Sequence, residues 1–146
     1  MEIVKTRLIV PLMLAAVAGA CAPQISSTPD TTVSLRGTVT GSALYRERIL
    51  PPPGASVKFS LEDVSRADAP SVTLASQEYN VDGKAPPYAF KLTTPRDRLD
   101  TRMTYNVRAS IVDLHGKLLW TSDAAHRIDP SAIAQELPPI IMVKVN

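Results

Sequence analysis

Apolar residues recur at every second position along much of this chain, and that spacing predicts β-strands rather than helices. Val33, Leu35 and Val39 alternate in a first run, with Gly37 between them. Val57, Phe59 and Leu61 do so in "SVKFSLEDV". Val72 and Leu74 open another run, which continues through Tyr79 and Val81 after a change of phase that suggests a bulge. Tyr88, Phe90 and Leu92 alternate in "YAFKL", and Met103, Tyr105, Val107, Ala109 and Ile111 make the cleanest series. Leu118 and Trp120 follow, and Ile141, Val143 and Val145 come last. Turn chemistry separates the runs. Pro51-Pro52-Pro53-Gly54 breaks the first pair, and Asp82-Gly83 offers two residues that tolerate positive φ. Asp113-Leu114-His115-Gly116 is expected to turn a tight hairpin. Short strands with frequent turns favour a sandwich or a barrel. One helical turn is expected over Ser131 to Gln135, after Pro130.

The first twenty residues break this pattern. Two positive charges, Lys5 and Arg7, precede an uncharged apolar run from Leu8 to Ala18, and small residues close it. This is the plan of a secretory signal peptide. The run falls short of the roughly 20 apolar residues that span a bilayer. The only cysteine, Cys21, comes next. Ala18-Gly19-Ala20-Cys21 resembles the lipobox of bacterial lipoproteins, with Ala18 where Leu is usual. The resemblance implies cleavage before Cys21, a diacylglyceryl thioether on its sulfur, and an acylated amino group. The alternative is a plain exported protein with an unpaired thiol. Two or more acyl chains would tether the protein stably to a membrane without spanning it. By the same resemblance, Asp after the cysteine keeps a lipoprotein in the inner membrane; Ala22 implies the outer membrane, facing the periplasm.

Residues 22–32 are rich in Pro, Ser and Thr and hold one large apolar residue, Ile25, too little to order a segment by burial. Extended, they would reach roughly 35 Å. The expected organisation is therefore a signal peptide over 1–20, a lipidated cysteine and tether over 21–32, and one β domain over 33–146. Charge adds no partner. The chain has 16 basic and 14 acidic residues. Cleavage after Ala20 would remove Lys5, Arg7 and Glu2, leaving 14 and 13. That balance gives no electrostatic case for nucleic acid. With no second cysteine there is no intramolecular disulfide.

Candidate chemistry centres on "DVSRADAP", residues 63–70. Asp63, Ser65 and Asp68 are turn and capping types that accept backbone N–H bonds. Arg66 can pair with one of the carboxylates. A structural turn is the first reading. The second is a ligand, metal or partner-binding loop, since Glu62, Asp63 and Asp68 put three carboxylates close together. A calcium loop, however, uses Gly at its sharp bend, and none stands here. His115 at a hairpin tip and His126 in a loop read as surface histidines and lack metal spacing. No phosphate loop or nucleophile elbow occurs, so neither an enzyme nor a cofactor is expected. Trp120 reads as core, with a sugar-stacking platform as the alternative.

Four segments, in order, carry a family resemblance: "YRERILPPPGASVKFSLEDVSRADAP" (45–70), "GKAPPYAFKL" (83–92), "YNVRASI" (105–111) and "GKLLWTSD" (116–123). They resemble the YbaY/YscW lipoprotein family over about residues 35–125. The resemblance implies an all-β fold, a compact antiparallel β-sandwich of about seven or eight strands. It also implies a non-enzymatic binding module. The family's name-giving branch contains pilotins, lipoproteins that bring secretin subunits to the outer membrane in type III secretion. A secretin-like protein is then the expected partner. The alternative is a general envelope lipoprotein, with polysaccharide as its candidate ligand.

Overall fold

The computed structural model describes residues 35–146. Alternation becomes strand at almost every predicted place. The strands are β1 (Arg36–Tyr45), β2 (Ser56–Asp63), β3 (Val72–Asn80), β4 (Tyr88–Pro95), β5 (Tyr105–Val112), β6 (Leu118–Ser122), β7 (His126–Arg127), β8 (Ala134–Glu136) and β9 (Ile140–Lys144). A single 3-10 turn at Arg96–Arg98 follows β4. All nine strands join one sheet in the order β3-β2-β5-β6-β9-β1-β4. The short β7 pairs with β5, and β8 with β1.

The sheet is curled, so that its two ends meet and its opposite walls pack on each other as the layers of a sandwich do. Phe59 of β2 stacks on Phe90 of β4 at 4.7 Å between ring centroids, although these strands lie far apart in the sheet order. No backbone ladder joins β3 to β4. Side chains of β3 close the seam instead. The Tyr79 hydroxyl donates to the Ala89 carbonyl at 2.8 Å, and the Lys91 N–H donates to Gln77 Oε1 at 2.8 Å. Two polar groups of an edge strand are thereby satisfied, which removes part of the hazard of an open edge.

The core is the inward face of this curl. Val57, Phe59 and Leu61 of β2 and Val107, Ala109 and Ile111 of β5 are fully buried. They stand opposite one another along an eight-residue antiparallel register. Tyr45 of β1 stacks on Trp120 of β6 at 4.8 Å, and Trp120 is core, as expected. Gly41 of β1 has a packing reason: a Cβ there would lie 2.9 Å from the Phe90 ring and 3.3 Å from the Leu137 carbonyl. The predicted turns form. Asp82 and Gly83 both take positive φ, and the Lys84 N–H closes that turn on the Val81 carbonyl. Asp113 carries the β5–β6 hairpin, accepting the N–H groups of His115 and Lys117 on Oδ1.

The expected bulge is present, and three details differ from the sequence expectation. The phase change in the third run is a bulge: Leu61 faces Ala75 and Glu62 faces Thr73, so Leu74 of β3 has no opposite residue. The sheet is mixed, because β8 and β9 run parallel to β1. These strands come from opposite ends of the domain, so no hairpin dictates their direction. Ala134 and Gln135 lie in β8 rather than in a helical turn. In β9, Ile140 and Met142 face inward while Val143 and Val145 are partly exposed, the reverse of the expected phase. "IIMV" is apolar at four successive positions, so its alternation carries no phase of its own.

Candidate functional site

The segment between β2 and β3, residues 64–71, folds back over the outer face of the sheet. Strand β2 shows this directly. Its inward residues are buried, as in any wall of a closed sheet, but so are Ser60 and Glu62 on the opposite face. Glu62 is 8% exposed. Its carboxylate accepts the Ser60 hydroxyl at 2.7 Å and the Ser71 hydroxyl at 3.0 Å. A buried carboxylate needs hydrogen-bond donors to offset the loss of water. Here they come from the strand itself and from the far end of the covering segment. Ser71 on Glu62 therefore pins the segment's exit to the sheet.

The segment's entry is pinned by Asp63 and Ser65. Asp63 Oδ1 accepts the Ser65 N–H at 2.9 Å and the Ser65 hydroxyl at 2.6 Å. These bonds hold the Asp63 carboxyl below the usual aspartate range. Ser65 Oγ in turn accepts the Thr104 N–H at 2.9 Å, and the Val64 N–H donates to the Thr104 carbonyl at 2.9 Å. The loop is thus tied to the β4–β5 connection, 39 residues away. The turn reading of "DVSRADAP" is realised in these bonds.

The fold-back leaves two recesses. One, of about 470 Å³, is lined by Asp63, Ser65, Arg66, Ala69, Pro70, Val72 and Met103. Its apolar lining is open to solvent: Val72 is 61% exposed and Met103 43%. The second, of about 340 Å³, lies on the other side of the loop, where Glu62, Arg66, Ser71, Asn106 and Arg108 meet. Arg66 lines both recesses. The volume of the first is within the range of ordinary small-molecule pockets.

Three of the four candidate loop residues, Asp63, Ser65 and Arg66, meet at the first recess; Asp68 is exposed and lines neither. Glu62 and Asp63 are successive strand residues and point to opposite faces, which separates two of the three carboxylates. Among the described residues no three His, Cys, Asp or Glu side chains form a metal-binding group. His115 is exposed at the hairpin tip, as expected. His126 is not a loop residue: it lies half-buried on β7, its N–H donates to Asn106 Oδ1, and its Nε2 is buried without a partner. Ala18, Gly19, Ala20 and Cys21 lie outside the described residues. Met103 and Val72 were read as apolar positions of alternating strand runs. Met103 instead sits in a turn before β5, its N–H bonded to the Asp100 carbonyl, and Val72 begins β3 exposed, across from Asp63. An apolar residue at the end of an alternating run carries no sign of whether anything covers it.

Residues 34–137 match the profile of the family described as "Type III secretion system lipoprotein chaperone (YscW)". The chain belongs to the YscW family. The chain is also similar to the uncharacterized lipoprotein YbaY of Escherichia coli (strain K12), 30% identical over 92 residues. That likeness covers 62% of this chain and 47% of YbaY, so the chain spans about half the length of the curated relative it matches. A solved structure, an alternative pilotin from the type II secretion system of Vibrio cholerae, is 33% identical with a TM-score of 0.62. It covers 74% of this chain, and the match covers 97% of the pilotin. The family is thus described as one of lipoprotein chaperones, and the solved neighbour is a pilotin. The all-β fold expected from the resemblance is the fold observed.

Proposed function

We propose that this protein is a lipid-tethered pilotin-like chaperone that faces the periplasm from the outer membrane and binds an envelope protein of secretin type. The observation that carries this reading is the pilotin likeness, which extends over nearly the whole of that solved chain at 33% identity. The lipobox Ala18-Gly19-Ala20-Cys21 supports the tether, with residues 1–20 as the cleaved signal peptide and 21–32 as the linker to the domain. Ala22 in place of Asp supports the outer membrane. The partner reading agrees with the recess beside residues 63–72, whose exposed Val72 and Met103 offer apolar surface to another chain. The polysaccharide reading has lost its platform, since Trp120 is 2% exposed and stacked on Tyr45.

Two experiments test the proposal. Cys21→Ser should abolish palmitate labelling and release the protein from the membrane fraction; labelling that persists in this variant refutes the anchor. Cross-linking of the intact protein in its native envelope, followed by mass spectrometry, should recover a secretin subunit. Recovery of none, where a secretin is expressed, refutes the partner.

A further inference from the structure

We propose that the recess beside the β2–β3 loop takes a segment of the partner in which aliphatic side chains stand next to a carboxylate, with Arg66 as the receptor of that carboxylate. The inference rests on the partner-binding reading and adds the chemistry of what is bound.

The argument is an asymmetry of charge. Two carboxylates and two guanidinium groups line the pair of recesses: Glu62 and Asp63, Arg66 and Arg108. Both carboxylates have their hydrogen bonds supplied by serines. Ser60 and Ser71 serve Glu62, and Ser65 serves Asp63 twice. Neither guanidinium lies within ion-pair distance of a carboxylate among the described residues, where the only such pair is Arg102 with Asp100. Arg108 stands directly across from Ser60 in the β2–β5 register, diagonal to Glu62, and still makes no ion pair with it. The site has therefore bonded its own acids to neutral hydroxyls; Arg66 lies near enough to Asp63 to favour its ionised form, but neither guanidinium is engaged in an ion pair. Arginine presents a planar fork that matches a carboxylate with two parallel bonds. Arg66 is exposed and lines the apolar recess and the polar one alike. It is placed to take a carboxylate while Val72, Met103 and Pro70 take the aliphatic groups beside it. A purely apolar segment would leave this guanidinium unused. A basic one would be repelled.

The test uses the full-length lipoprotein in its native envelope with a photoreactive residue at Met103 and, separately, at Leu114 on the β5–β6 hairpin. The expected result is cross-linking from position 103 to one envelope protein, through a peptide that holds aliphatic residues beside Asp, Glu or a free C-terminus. Arg66→Glu should lower that yield by about tenfold, the size of one charged hot-spot contact, and Arg66→Lys by less. Rising salt should weaken capture in the wild type and not in Arg66→Glu. Arg66 is exposed and makes no hydrogen bond or ion pair within the fold, so a circular dichroism melt should show Arg66→Lys as stable as the wild type and Arg66→Glu folded, with at most a small loss from the second carboxylate near Asp63. Equal capture by Arg66→Glu, or a cross-link from 114 alone, overturns the inference and leaves a partner-binding protein with a different site. Capture from neither position, where envelope partners are expressed, overturns the partner-binding reading and this inference with it.

Discussion

Strand β2 contains two regions built by different rules. Over Ser56 to Phe59 it is an ordinary wall: Val57 and Phe59 point into the core and Lys58 points to water. Over Ser60 to Glu62 it is covered on both sides, by the core within and by residues 64–71 without. The first region is decided by alternation within the strand. The second is decided by a connecting segment that returns to its own strand and is tied down by Ser65 and Ser71. The difference separates what holds the fold from what shapes the recess, and substitutions should resolve the two.

The largest effect belongs to the first region. Phe59→Ala removes a fully buried ring that stacks on Phe90 and lies 6.3 Å from Tyr79, so it also weakens the β3–β4 seam. The expected loss is about 3–5 kcal/mol in chemical denaturation, spread over the whole domain. A loss confined to one segment would show that the core is not a single cooperative unit.

A smaller and local effect belongs to the second region. Glu62→Ala leaves the hydroxyls of Ser60 and Ser71 without their acceptor and opens space under the loop. The expected cost is about 1–3 kcal/mol. Hydrogen exchange should rise over residues 64–71 first, while the β2–β5 ladder stays protected. Glu62→Gln keeps an acceptor for one serine and should fall between. Uniform loss of protection in Glu62→Ala would mean that the covering segment belongs to the core after all.

These two regions also mark how far the amino-acid pattern could be read. Alternation in "SVKFSL", "YAFKL" and "YNVRASI" places β2, β4 and β5 and their inward residues correctly, because each has one dry face and a period of two. The same logic failed in "IIMV", where both faces are apolar, and it said nothing of β7 and β8. Two- and three-residue strands are held by pairing with β5 and β1 across long sequence separations, not by local preference. At the site, the turn chemistry of Asp63 and Ser65 was legible because an Asx turn is local. The burial of Glu62 was not, because it depends on Ser71 arriving from nine residues away. Met103 and Val72 were legible as apolar but not as exposed, since only the path of the loop decides what covers them.

The smallest effects come from paired turn aspartates, and they sharpen the contrast by pH. Asp63 at the loop and Asp113 at the β5–β6 hairpin both have lowered pKa values in the folded protein. Asp63 is lowered first by the Ser65 hydroxyl and then by the Ser65 N–H; Asp113 first by the Lys117 N–H. A depressed folded pKa means that each ionised group stabilises the fold above its unfolded pKa of about 3.9, and that this stabilisation is lost as pH falls through the lower folded value. Melting temperature should therefore decline below about pH 4, and Asp63→Asn or Asp113→Asn should each flatten that decline slightly. The two variants should part in a second measurement. Asp63→Asn should raise hydrogen exchange at Val64, Ser65 and Thr104, because the turn that presents Ser65 to Thr104 is weakened. Asp113→Asn should raise it only within the hairpin, at His115 and Lys117. If Asp63→Asn left Thr104 as protected as before, the loop would owe its position to the Glu62–Ser71 tie alone, and the entry to the recess would be set by its exit.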